Sequence, residues 1–310
     1  MIRLKNEDEI AGIRKACHLT ADMFNELLPK VKEGMSTYDV DIMFKNYIES
    51  HGGKPAWYRN GFPGAVCISV NDEVIHGLPS KKRIIRKGDL VSIDAGIDLD
   101  GYISDSTHTV LIGEVDPKVK KLKEVTEECL KAGIAACKVG NRIKDISNAI
   151  YEIADKNFYG VVYDYCGHGV GLDVHEDPSV PNCPFKGLNP RIKPGMVLAI
   201  EPMINLGVPD VEVLDDGWTV ATADGQVSCH VEHTVAVFED HTEVLTDLNY
   251  KKLCCLIYMW LICSLFIISV SSSKVSTQST CSFTRSRCAS AFLAVHGPMK
   301  MTLAVGSVCL

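Results

Sequence analysis

Leu90–Ile112 reads LVSIDAGIDLDGYISDSTHTVLI. Two β-rich runs flank Asp100-Gly101, a dipeptide that favours the tight turn of an antiparallel hairpin. With the turn centred near Leu99-Asp100, positions summing to 199 face one another, which sets Asp94 against Asp105. Cross-strand neighbours carry Cβ atoms roughly 4.5–5.5 Å apart. Two carboxylates that close repel unless a proton or a cation lies between them. On an exposed hairpin they would simply be solvated. IDAG is an apolar strand, however, where a bare carboxylate is costly.

Outward from this hairpin the chain alternates helical and β patterns. Asn6 and Glu9 form a capping-box pair, and Ile10, Ile13, Cys17, Phe24 and Leu28 recur at helical spacing, so 7–31 is predicted as an amphipathic helix. Ser36 or Thr37 caps a second helix that Gly52-Gly53 stops. Asp116-Pro117 opens a third, ending before Gly140, and a fourth spans about 143–157. Strand-like runs follow at 161–165, 197–200, 211–214 and 231–238. Two helix pairs, each followed by strands, predict an α+β domain built from two similar halves, although no sequence repeat marks the duplication.

The composition, 46% hydrophobic and 23% charged, is that of a globular protein. Residues 1–250 carry 26 basic and 39 acidic side chains, an acidic balance that argues against nucleic acid as the principal partner. Met1–Glu9 is charged with no apolar run behind it, unlike a signal peptide. The seven cysteines before residue 250 are scattered without a CxxC pair and are expected as reduced thiols, which implies a cytoplasmic protein.

Three further segments carry acidic or imidazole groups in unusual settings. His168 lies among glycines in CGHGVG, a pattern of backbone packed close to a ligand or another strand. Glu201 ends an apolar run in AIEPM, and Glu232 is expected inside a strand in VEHTVAVF. Each alone is as easily structural. Four carboxylates and one imidazole together make a hard, oxygen-rich donor set suited to divalent Co, Mn, Fe or Zn.

IDAG, SDST, CGHGVG, IEPM and VEHT, in this order, resemble the ligand motifs of the type I methionine aminopeptidases, which have the pita-bread fold. VCISVNDEVIHGLP, KPGMVLAIEP and DDGWTV extend the resemblance from about residue 2 to 247. It implies an antiparallel sheet in pseudo-twofold halves under two helix pairs, and removal of the initiator methionine from nascent polypeptides near the ribosome. It implies two divalent ions with a water between them: one held by Asp94, Asp105 and Glu232, the other by Asp105, His168, Glu201 and Glu232. Glu201 would shuttle the water's proton, His175 would bond the carbonyl oxygen, and His76 would contact the scissile nitrogen. Cys67, Phe62 and Trp218 would line the methionine pocket, which admits a small second residue. Arg59 departs from the pattern, standing where an aromatic is expected beside Trp57 and Tyr58. A monomer is the family default.

Prolidases and aminopeptidase P share the five ligands but carry an additional N-terminal domain, and only 93 residues precede Asp94. Type II methionine aminopeptidases carry a helical insertion for which the 33 residues from His168 to Glu201 leave no room. A non-catalytic binding protein on the same fold would have lost ligands, and all five are present. The catalytic domain is expected over 1–248. Residues 249–310 are expected outside it, with no acidic side chain and an uncharged stretch from Leu253 to Ser273. That stretch is long enough to span a bilayer, and residues 249–310 read as a membrane anchor with membrane contact, a disordered extension or a frameshift product.

Overall fold

The computed structural model describes residues 1–251 and two short strands, Ala291–Val295 and Met301–Val305. The chain divides into two units, Met1–Leu256 and Ile257–Leu310. In the second, the two short strands pair antiparallel, Leu293 opposite Leu303, where the sequence showed no convincing period. The stretch read as a membrane anchor lies outside the described residues. Among those described, no helix is long and apolar enough to cross a membrane.

The first unit is α+β, with four long helices over antiparallel strands. Helix α1 (Glu7–Leu27) starts at the Asn6–Glu9 capping box: Asn6 Oδ1 accepts from the Glu9 N–H, and Glu9 Oε2 accepts from the Asn6 N–H, both at 2.9 Å. Pro29 then forces a short 3₁₀ turn, Leu28–Lys30, instead of the α-helix expected there. Helix α2 (Thr37–Ser50) is capped by Ser36, α3 (Pro117–Ala136) by Asp116, and α4 spans Ile143–Lys156.

The first half holds a sheet of Cys67–Val70, Leu90–Ala95 and Ser106–Leu111, with the middle strand central. Val91, Ile93 and Ala95 face one way and join Phe24 of α1 with Phe44 and Ile48 of α2 in a core cluster. Ser92 and Asp94 alternate with them and point the other way. On that face Ser92 and Thr109 hydroxyls meet at 2.8 Å, and Thr109 Oγ1 donates to the His230 carbonyl. The second half holds a five-stranded sheet in the order Glu176–Val180, Gly167–Gly169, Val197–Ile200, His233–Val237, Thr242–Val244. Leu198 and Ile200 pack towards α3 and α4, while Val197 and Ala199 pack with Ile10, Ile13 and Cys17 of α1. Burial on both faces explains the unbroken apolar run VLAI.

Three expectations are corrected. The hairpin register sums to 201, not 199: Asp94 faces Thr107, and Leu99 faces Tyr102. The reason is the turn, whose corners are Asp100 (φ 54°) and Gly101 (φ 89°), both in the left-handed region that a two-residue hairpin loop requires. Because the difference is two residues, Asp105 stays on the Asp94 face, as Thr107's same-side neighbour. Glu232 lies between strands, after Ser228–His230 and before His233–Val237, and not within one. The run 161–165 yields strand only at Gly160–Val161.

Candidate metal centre

The joints between strands build the site. Val197–Ile200 pairs with His233–Val237, and Met203–Asn205 pairs with Ser228–His230 in another sheet. The ribbon crosses between sheets at Glu201-Pro202 and Val231-Glu232. Proline has no N–H to give to the ladder, so pairing at this crossing thins to one long bond, from the Val231 N–H to the Pro202 carbonyl at 3.5 Å. In the first half the Leu90–Ala95 ribbon likewise breaks opposite Asp105, at Gly96. Asp105, Glu201 and Glu232 therefore sit at strand breaks, and Asp94 one residue before the end of its strand.

Hydrogen bonds lock these joints together. The Glu232 N–H donates to the Thr107 carbonyl at 3.0 Å, and Thr107 Oγ1 donates to Glu232 Oε2 at 2.9 Å. The Asp105 N–H donates to Thr234 Oγ1, which itself donates to the Asp105 carbonyl at 2.7 Å. Asn182 Nδ2 holds the Glu201 carbonyl at 3.0 Å. His168 lies in Gly167–Gly169, pinned between two strands. A Cβ at Gly167 would fall 2.4 Å from the Ala199 carbonyl oxygen, and one at Gly169 would fall 2.4 Å from that of Asp177. The glycines are therefore needed for this approach. His168 Nδ1 donates to the Gly169 carbonyl at 2.9 Å, which leaves the Nε2 lone pair free. That atom lies 3.6 Å from Asp105 Oδ2 and 3.4 Å from Glu201 Oε1.

Ligand atoms of Asp105, His168 and Glu232 all lie within 4.8 Å of one another. Asp94 and Glu201 border the same cavity, about 380 Å³ in volume. Among the described residues, Asp94 Oδ1, Asp105 Oδ1 and Glu232 Oε1 are buried without a hydrogen-bond partner. Orphaned carboxylate oxygens beside an imidazole lone pair fit a hard divalent cation. Burial, with added repulsion from neighbouring carboxylates, holds Asp105, Glu201 and Glu232 well above the usual carboxylate range. Burial pushes Asp94 up to about 6. A cation would reverse this by favouring the ionised forms.

The remaining expected residues line the same cavity. His175 lies edge-on to His168, ring centroids 4.3 Å apart, and its Nδ1 faces Asn60 Nδ2 at 3.2 Å. His76, at φ 57°, takes the left-handed backbone uncommon for such a residue, with Tyr165 against its ring. Phe62 and Trp218 meet edge to face at 5.3 Å, and Cys67 pairs with Asp94 across the sheet. Trp57 is buried, lines the cavity and donates to the Asp94 carbonyl, while Arg59 turns away to pair with Asp98. Arg59 is thus no part of the cavity wall. His230 was missed: it is buried, with Nε2 3.4 Å from Glu201 Oε2. Its signal was present, since it stands two residues before Glu232, the spacing that shares a strand face.

Residues 11–239 match metallopeptidase family M24. The methionine aminopeptidase of Treponema pallidum is 56% identical over 248 residues, 80% of this chain and 97% of that one. The chain belongs to the M24 methionine aminopeptidases. The solved structure of the methionine aminopeptidase from Thermotoga maritima matches with a TM-score of 0.77 at 39% identity, covering 80% of this chain and all of that one. A prolidase from Pyrococcus furiosus matches at 0.65 and 27% identity, covering 79% of this chain but only 65% of the prolidase. The pita-bread fold and the enzyme class follow from family membership, and a metallopeptidase of this family uses divalent metal.

Buried histidines are expected to make this M24 peptidase sensitive to acid. Away from the ligand cluster, burial lowers His76 and His233 to about 4, and His108 to about 3. A group whose folded pKa is depressed below the unfolded value of about 6.5 contributes stability fully present above 6.5 and lost as pH falls. Metal-bound carboxylates change stability in the same direction. The melting temperature of the metal-loaded protein is expected to fall by roughly 10 °C or more from pH 7.5 to 4.5, at about 2–4 °C per kcal/mol for a domain of this size. A flat profile by calorimetry would contradict the neutral, buried state of these rings.

Proposed function

We propose that the chain removes the N-terminal methionine of nascent polypeptides in the cytoplasm, favouring a small second residue, with two divalent ions in the cluster. The supporting observation is the meeting of two environments in one cavity: orphaned acidic oxygens, and a lining that includes Cys67, Phe62 and Trp218. Asp94, Asp105 and Glu232 would hold one ion, and Asp105, His168, Glu201 and Glu232 the other. When bound, the ions supply a Lewis acid for the scissile carbonyl and an acidified water. The protein's own groups do the rest. The thioether docks against soft and aromatic surfaces. Glu201 carries a proton from the water towards the leaving nitrogen. His175 donates to the carbonyl oxygen as charge develops on it, and His76 meets the scissile nitrogen.

The interval from His168 to Glu201 contains no helix, in keeping with the type I branch. We assign the catalytic domain to residues 1–248. Tyr250 stacks on His18 of α1 and Lys251 pairs with Asp22, so contact with the domain reaches three residues further. The test is cleavage of Met-Gly, Met-Ala and Met-Trp peptides by metal-free protein with Co, Mn, Fe or Zn added singly. Metal-dependent cleavage of the first two and little of the third is expected. Equal rates on Met-Ala and Met-Trp would remove the steric limit, and a preference for X-Pro would move the chain to the prolidase branch.

A further inference from the structure

The loop from Val170 to His175 joins the His168 strand to Glu176–Val180 and presents His175 to the cavity. One carboxylate holds two of its backbone N–H groups. Glu176 Oε1 accepts the backbone N–H groups of Leu172 (2.9 Å) and Asp173 (3.1 Å), tying the loop at its base. The other oxygen, Oε2, is held by Lys5 Nζ at 2.8 Å. This ion pair is buried, its side chains 1% and 8% exposed. Lys5 is itself fixed, its N–H donating to the Gly195 carbonyl at 2.7 Å. A Cβ at Gly195 would lie 2.8 Å from the Lys5 carbonyl oxygen, so the two segments are in close contact.

A buried ion pair is a poor way to gain stability, because desolvation of both charges offsets their attraction. What it does well is fix a geometry. We propose that Lys5 and Glu176 are positioning residues for His175: the ion pair fixes the carboxylate that ties the Leu172–Asp173 turn, and the turn aims the imidazole at the substrate carbonyl. This rests on the role proposed above for His175. The segment before α1 thereby becomes part of the catalytic apparatus.

The experiment is a double-mutant cycle in the full chain, with metal content measured on every variant. Lys5→Met is expected to lower kcat on a Met-Ala peptide about 10-fold, the low end for a residue behind a site's direct contacts, with KM and metal content little changed. Glu176→Gln keeps an oxygen for the two backbone N–H groups and is expected to lose less. In a His175→Ala background neither change should slow turnover further, since the group being aimed is gone. A purely structural role would instead multiply with the His175→Ala loss, and that result would overturn the proposal, as would unchanged kcat in Lys5→Met. If Lys5→Met does not fold, the cycle is read from Glu176→Gln. Normal turnover by His175→Ala alone would refute the reading of the site, a failure separate from that of the ion pair.

Discussion

Asp105→Asn is expected to abolish turnover and release both ions, and Glu232→Gln to do the same. Asp105 lies 3.6 Å from His168 Nε2, stands two residues before Thr107, the cross-strand partner of Asp94, and has an oxygen without a partner. Loss of one carboxylate oxygen there weakens both ion sites at once, so the effect should exceed the roughly 10–100-fold cost of changing a residue behind the ligands. The substitution keeps shape, and in metal-free protein it relieves crowding among buried acids. The variant should therefore fold and be inert. Asp94→Asn, at the edge of the cluster, should leave one site partly filled. Elemental analysis after gel filtration, set beside kcat/KM, checks this. Near-normal turnover by Asp105→Asn at ordinary metal concentrations would remove the bridging assignment.

His175→Ala is expected to lower kcat by about 10²–10³, as for loss of one transition-state hydrogen-bond donor, with metal content unchanged. Its ring stacks edge-on to His168 without belonging to the cluster of ligand atoms. His76→Ala should behave similarly in metal content, because His76 lines the cavity against Tyr165 without belonging to the cluster of ligand atoms. Loss of metal from His175→Ala would make that residue a ligand.

The sequence carried the helices and the identity of the acidic groups, for local reasons. Asn6 and Glu9 cap a helix through atoms three residues apart, and Pro117 starts another through its own ring, so neither depends on the rest of the fold. The hairpin was legible in kind but not in register, because one residue's difference in the turn centre moves every pairing by two. That error was harmless to the site only because an even slip preserves the face. Glu232 was placed inside a strand by its apolar neighbours, whereas the chain passes between two sheets there, opposite Glu201 at the end of its own run. No local pattern announces such a crossing, although Pro202 is a trace of it. Arg59 was ambiguous until its ion pair with Asp98 drew it away and left Trp57 on the cavity wall. The Lys5–Glu176 pair joins residues 171 positions apart and had no sequence signal at all.

The strand breaks have a consequence for how the chain matures. Asp94 and Asp105 come from the first half, while His168, Glu201 and Glu232 come from the second. Under the proposed ligand set, neither half alone can assemble an ion site. An emerging chain that has released only its first half presents two aspartates of ordinary affinity, and full uptake waits until the strand after Glu232 docks through Thr234 onto Asp105. Cation binding would then report completed folding, because it would occur on the native state and stabilise it by linkage. Under that ligand set the metal would also be the last clasp of the enzyme's assembly, and a chain starved of metal is expected to differ from a loaded one in cohesion as well as in activity.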